Sequence, residues 1–317
     1  MTKDLSSYGN YGMGITADGS TMVADVWEFP SQIWSVGTDG KTGNAVQLTA
    51  NDSDGLRGLT TFPDGQIAYS LRNGSDYDLW TMRDLEGKRE GKPLTNDSFS
   101  ESDPVAAPDG TFIIFASDRA GATQHLFRID ADGANLKQIT FGESSDSLPD
   151  ISPDGKWIVY TSWVNNQNRI LKMPVSGGNA IQLTDYDSFA PSVSPDGKLL
   201  ACVSPPENRV QFARLDIINF ETGETIKSFE VLPALTYRPA RWTPAGDALL
   251  YIKTEKGVYN LWRQSLNGGE PKQYSDFNSQ AIYNFAFARG DKRLLIARGD
   301  ATVNVVMLKN FRNSAGQ

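Results

Sequence analysis

The chain has 317 residues, 39% of them apolar and 21% charged, with a net charge of −8. That composition suits a globular fold, offers no apolar run long enough to cross a bilayer, and argues against nucleic acid, whose phosphates attract clustered Lys and Arg. With one cysteine, Cys202, and one histidine, His125, an intrachain disulfide and a His-rich metal site are both excluded.

In chain order the sequence repeats a turn followed by a short apolar strand. No secretory leader pattern precedes the first copy, since Met1-Thr2-Lys3-Asp4-Leu5 runs into polar and Gly-rich residues. The turn is degenerate at Ala17-Asp18-Gly19 and intact at Pro63-Asp64-Gly65, Pro108-Asp109-Gly110, Pro153-Asp154-Gly155 and Pro195-Asp196-Gly197. It is degenerate again at Pro244-Ala245-Gly246 and Arg289-Gly290-Asp291. The spacings are 46, 45, 45, 42, 49 and 45 residues, so seven units fill nearly the whole chain. A period of that size with several strands per unit predicts a β-propeller, whose blades pack only on their neighbours and so escape the size limit of a single core.

The unit from Leu148 to Thr184 shows the pattern. Apolar residues before the turn predict an inner strand, Trp157–Thr161 a second, Ile170–Met173 a third and Ala180–Leu183 a fourth, joined at Asp154-Gly155 and Gly177-Gly178. An aromatic recurs in the third strand, at Trp34, Trp80, Phe127 and Trp262, where it is expected to wedge between blades. The expected fold is therefore all-β, a seven-bladed β-propeller of four-stranded antiparallel blades over 1–311, with 312–317 as a flexible tail. After the last turn come Lys292–Arg298 and Thr302–Leu308, which predict a last blade without its outer strand. N-terminal residues are expected to close that blade or leave it incomplete, with Met1-Thr2 standing where an outer strand ends and the natural chain extending upstream.

In this arrangement the loops from outer to next inner strand and from second to third strand share one face, and the Pro-Asp-Gly turns lie on the other. The first face carries the candidate ligand-binding residues Arg57, Asp103, Asp146, Asp187, Arg238 and Tyr283. Loop Asp and Ser also cap turns, and the Pro-Asp-Gly aspartates are turn formers. Calcium ligation by loop carboxylates is chemically feasible, but no segment has the Asp/Asn spacing of a calcium loop, so neither metal nor cofactor is expected. No Gly-x-Ser-x-Gly elbow or phosphate loop occurs, and His125 stands at a strand position held by Asp78 and Asn260 in other units, which predicts a blade-edge role. A carboxylate pair for glycoside hydrolysis and a purely structural assembly platform stay open as alternatives.

The repeats resemble the WD40-like propellers of the TolB and dipeptidyl-peptidase type. The runs "TKDLSSYGNYGMGITADGSTMV", "DSLPDISPDGKWIVYTS", "YRPARWTPAGDALLYI" and "LLIARGDATVNVVMLKNF" are similar to the C-terminal propeller of bacterial membrane-anchored multidomain Ser/Thr protein kinases and related winged-helix regulators. That resemblance implies a non-catalytic sensor or interaction domain, a fragment of a larger signalling protein, placed outside the cytoplasm in the periplasm or at the cell surface, with a cytoplasmic location as the alternative. It further implies a protein, peptide or small-molecule partner, no nucleic acid, no direct membrane insertion, and a monomer when isolated. No kinase signature is present, so no catalytic residue carries over.

Overall fold

The computed structural model describes residues 7–85, 88–205, 213–231, 240–288 and 293–309. The anchor Arg289-Gly290-Asp291, the tail 312–317 and Met1-Thr2 lie outside the described residues. Within them the chain is all-β, arranged in seven antiparallel sheets, with a single 3-10 turn at Thr42–Asn44.

Local chemistry explains each sheet. In the unit around Pro153 the turn closes because the Lys156 N–H donates to Asp154 Oδ1 at 3.1 Å while Gly155 takes φ +71°, a conformation that costs glycine little. The strand that follows, Trp157–Val164, is buried continuously from Ile158 to Ser162, because a neighbouring sheet covers each of its faces. The same aspartate-to-amide bond recurs at Asp64, Asp109 and Asp196. Turn formation is thus the job of these carboxylates; the Ser152 and Ser194 hydroxyls, with the turn amides, hold Asp154 and Asp196 below the usual carboxylate range, and the Thr111 amide and hydroxyl do the same for Asp109.

Six sheets are four-stranded blades. Their inner strands are Leu59–Thr61, Glu101–Ala106, Asp146–Ile151, Phe189–Val193, Arg241–Trp242 and Ala281–Phe287, for the first to the sixth blade in turn. Hydrophobic clusters join the blades in a ring. Phe62, Leu79, Phe115 and Phe127 join the first to the second. Ile114, Ile158 and Met173 join the second to the third. Val159, Ile218 and Phe220 join the third to the fourth, and Leu215, Trp242 and Leu249 the fourth to the fifth. Leu250, Phe285 and Ile296 join the fifth to the sixth, and Ile33, Leu59, Tyr69 and Ala286 close the sixth onto the first. Trp80, Phe127 and Trp262 lie in or against these clusters, as the wedge expectation requires, whereas Trp34 belongs to none of them and has the Arg298 guanidinium 5.6 Å from its ring centre.

At the seam N-terminal strands do complete the last blade, but the strand partners differ from the expectation. Ala281–Phe287 and Arg293–Gly299 are completed by Gln32–Gly37 and Val46–Gln47, whereas Thr302–Lys309 pairs with Thr21–Glu28. Together with Ser7–Ile15 that last pair forms the seventh sheet, which has three strands. The segment from Gln32 wins the blade because it brings a complete third-and-outer unit. Ile33 and Val36 are buried, and the Ile33 N–H donates to Thr49 Oγ1 at 2.9 Å. The rival Thr302–Lys309 leaves Val303, Val305 and Met307 exposed.

The Thr49 bond is one of a series. In other blades Thr95, Thr140, Thr184 and Ser275 accept the N–H of Leu79, Leu126, Ile170 and Leu261 at 2.8, 2.9, 2.9 and 2.9 Å. These hydroxyls finish the outer strand by satisfying a buried amide that the short ladder cannot reach. Thr140→Val keeps the shape and orphans the Leu126 amide, so it is expected to cost about 1–3 kcal/mol in urea unfolding. An unchanged midpoint would remove the hydroxyl from the set of stabilising contacts.

Candidate functional site

Each inner strand stands at the end of its sheet, so its free edge faces a central channel. Toward the Pro-Asp-Gly turns this channel opens into a cup of about 740 Å³. Its rim is Pro63, Pro108, Pro153, Pro195 and Pro244, and three residues before each proline stand Thr60, Val105, Asp150, Ser192 and Arg241. Leu59, Ile151, Val193, Trp242 and Phe287 supply apolar wall.

The cup is stitched together across blades. The Ala106 N–H donates to Thr60 Oγ1 at 3.3 Å, the Val193 N–H to Asp150 Oδ2 at 2.8 Å, and Trp242 Nε1–H to the Ser192 carbonyl at 2.8 Å. Thr61 Oγ1 donates to the Phe287 carbonyl at 3.2 Å, which ties the first blade to the sixth. Such cross-blade bonds hold the cavity in shape before any ligand arrives.

Deeper in, the inner strands share an irregularity. Asp103, Leu148 and Ala190 take φ of +52°, +50° and +55° at matching places in successive blades. Each marks an irregularity in the pairing of its inner strand, a bulge that pushes backbone toward the axis. A bulky Leu pays for that conformation with strain. A small void of about 10 Å³ at this level is lined by Gly58, Asp103, Leu148, Asn284 and Arg241, among others.

The candidates on the other face are dispersed. Arg57 lies half-buried with its guanidinium 4.3 Å over the Tyr77 ring, and its carbonyl accepts the Asp103 N–H at 2.7 Å. Asp103 lines the small void. Asp146 is buried, its carboxylate 3.5 Å from His125 Nδ1, which places His125 at the junction of the second and third blades. Asp187 caps the third blade by accepting the Asn168 N–H at 3.1 Å. Tyr283 is buried, edge-on to Phe29 at 6.3 Å, and burial pushes its phenol up to about 12. Arg238 lies outside the described residues. Of these six, the structure brings Arg57 and Asp103 together and puts Asp103 alone at a channel void.

Sequence reasoning missed two features. One is the proline cup, whose signal is the fixed offset of a channel residue three places before each turn proline. The other is the cluster of Asp78, Asp97 and Glu101, whose carboxylates approach within 4.8 Å and would suit a cation. Arg119 supplies positive charge there, 3.1 Å from Asp97 Oδ2 and 2.5 Å from Glu101 Oε1. Thr95 Oγ1 and Ser117 Oγ donate to the two Glu101 oxygens at 2.8 and 3.1 Å. Burial still raises the Glu101 carboxyl to about 7, outweighing these bonds and Arg119.

With this geometry in hand, comparison with known proteins is specific about the fold. The sequence model of the TolB beta propeller domain family matches residues 41–227. An uncharacterized protein of Agrobacterium fabrum is 26% identical over 155 residues, 46% of this chain and 53% of that protein. The uncharacterized peptidase YuxL of Bacillus subtilis is 27% identical over 194 residues, 56% of this chain and 27% of that protein. The match therefore spans about half, or less, of the length of these curated relatives. The structure of a putative TolB from Agrobacterium tumefaciens superposes with a TM-score of 0.63 at 14% identity, covering 88% of this chain and 99% of that one, a likeness of fold.

Proposed function

We propose a binding role for this chain, which belongs to the TolB beta propeller domain family. It is a non-catalytic sensor or interaction domain that recognises a protein, peptide or small ligand and requires no cofactor. It acts as one segment of a longer signalling protein, outside the cytoplasm, with a Ser/Thr kinase or winged-helix regulator as the module it informs. The kinase-like runs in the sequence support that context, and its low Lys and Arg content supports a partner other than nucleic acid.

The observation that carries this reading is the preformed cup of about 740 Å³, a size and a mostly apolar wall suited to ligand capture. Among the described residues its lining contains one carboxylate, Asp150, whose oxygens accept the Ile151 and Val193 N–H groups at 3.0 and 2.8 Å. Glycoside hydrolysis needs two carboxyl groups facing across the bond. Recognition is the chemistry that the lining favours.

A thermal-shift panel of peptides and oligosaccharides tests the role. At least one compound is expected to raise the melting temperature and to be recovered intact by mass spectrometry, since a ligand at a hundred times its Kd stabilises by about 2.7 kcal/mol. Recovery of cleaved compound would overturn the non-catalytic reading.

A further inference from the structure

We infer that the strand Thr302–Lys309 is a self-association edge. Through it two copies of the chain pair antiparallel about a twofold axis and join their three-stranded sheets into one continuous sheet. Such pairing goes beyond the binding role, and it stands in place of the isolated monomer that the family resemblance implies.

A strand at the end of a sheet leaves a row of backbone N–H and C=O groups without ladder partners, and folded proteins guard such edges by shortness, charge, proline or a bulge. The outer strands of the six blades are guarded in these ways. Val46–Gln47, Lys137–Gln138, Ile181–Gln182 and Lys272–Gln273 are only two residues long. Lys88–Pro93 carries Lys88, Arg89, Glu90 and Lys92 and ends in proline. Thr225–Val231 carries Lys227 and Glu230, and its pairing is interrupted by an irregularity between Ile217 and Ile218. The inner strands turn their free edges to the channel. Ser7–Ile15, at one end of the three-stranded sheet, is broken by an irregularity between Tyr8 and Met13.

Thr302–Lys309, at the other end of that sheet, has none of these guards. Its eight residues pair one-to-one with Thr21–Glu28 and without a bulge, so the free edge is long and regular. Thr302 to Leu308 include no charged residue and no proline. Val303, Val305 and Met307 share one face and are 49%, 74% and 56% exposed. Among the described residues no strand lies against this edge.

The chemistry of the strand selects a second copy as its occupant. A partner must offer an equally free and regular edge, and among the described residues Thr302–Lys309 is the strand of this chain that has one. Self-pairing centred on Val305, the middle of the neutral stretch, sets Val303 of each copy across from Met307 of the other and Asn304 across from Val306. Lys309 then falls beyond the paired residues, so no like charges meet along the strand in spite of a net charge of −8 on each chain. A charged partner would find no opposite charge to read along 302–308. Each copy uses up the other's edge, which closes the assembly as a dimer and not a fibre.

Sedimentation velocity of the whole chain from about 1 μM to about 1 mM tests the pairing. A reversible rise to twice the mass of the chain is expected, with hydrogen exchange at 302–309 slowing as concentration rises and exchange at 225–231 unchanged. Val305→Lys sets two ammonium groups opposite each other at the centre and should weaken association about tenfold or more. Val305→Glu should do the same, and an equimolar mixture of the two variants should recover a dimer, since each Lys then meets a Glu. A chain that keeps the mass of a monomer throughout would overturn self-association and leave the edge to a different protein, with the ligand-binding role untouched. A dimer that Val305→Lys does not weaken, or that slows exchange elsewhere and not at 302–309, would overturn this edge as its interface. Exchange is read on the natural chain, so it decides the matter even if a variant fails to fold.

Discussion

Deleting residues 1–50 is expected to abolish cooperative unfolding, whereas deleting 1–28 should leave a cooperative transition in place. The first deletion removes Gln32–Gly37 and Val46–Gln47, the third and outer strands of the sixth blade. With them go the buried Ile33, Val36 and Leu48, each worth about 1.5–3 kcal/mol on burial. The cluster that joins the sixth blade to the first goes too, so the ring opens and Leu295 and Ala297 lose their cover. Set against a total of about 5–15 kcal/mol for a typical native protein, that loss is decisive. Of the strands, the shorter deletion removes Ser7–Ile15 and Thr21–Glu28, and none of their described side chains belongs to the six junctions. Urea titration followed by far-UV circular dichroism distinguishes the two. A sharp transition in the longer deletion, or its loss in the shorter, would contradict closure by the strands from Gln32.

Arg119→Ala should cost about 3–5 kcal/mol at pH 8 and far less at pH 5. At the higher pH the variant leaves Glu101 fully buried without the guanidinium that sat 2.5 Å away, so the carboxylate either stays charged and unpaired or takes up a proton against the solution pH, and both cost stability. The sign follows from Glu101. Its carboxyl is raised from 4.5 to about 7 in the fold, so the folded state holds the proton more tightly than the unfolded one. The stability this group contributes is full below 4.5 and is lost as pH rises through about 7. Losing Arg119 pushes the carboxyl further up, which enlarges the penalty above pH 7 and spares the acid side. Glu101→Gln should flatten the dependence across that window. Urea midpoints at both pH values check the pair, and an equal loss at pH 5 and pH 8 would show that Arg119 acts through its contacts with Phe99 and Phe127 instead.

The parts of this molecule that were legible in the sequence are those whose physics is local. A turn closed by its own aspartate and glycine needs no distant partner, so Asp109-Gly110 and Asp154-Gly155 announce themselves, and the apolar run after each turn announces a strand. Aromatics such as Trp80 and Phe127 repeat in register with those turns and betray the blade junctions. The candidate site was less legible. Asp187 and Asp146 were visible as loop-face carboxylates, yet their contacts with Asn168 and His125 depend on neighbouring strands and blades. The cup was hidden because its proline rim looks like turn chemistry and nothing more.

Seven turn-and-strand units, all-β character and propeller architecture follow from the sequence by itself, because periodicity and turn chemistry act within a few residues. Tertiary structure alone decided which strands share the seam. Gln32–Gly37 and Thr302–Lys309 are both plausible partners for Arg293–Gly299, and the choice falls to the one that also delivers Leu48 and the Thr49 hydroxyl. It alone buried Lys172, whose Nζ donates to the Phe220 carbonyl and Glu221 Oε2 at 3.0 Å between two aromatic rings. It alone raised the Glu101 carboxyl, since desolvation is a property of the surroundings and not of the residue. The same holds for the cup, which exists only once six inner strands have closed around it.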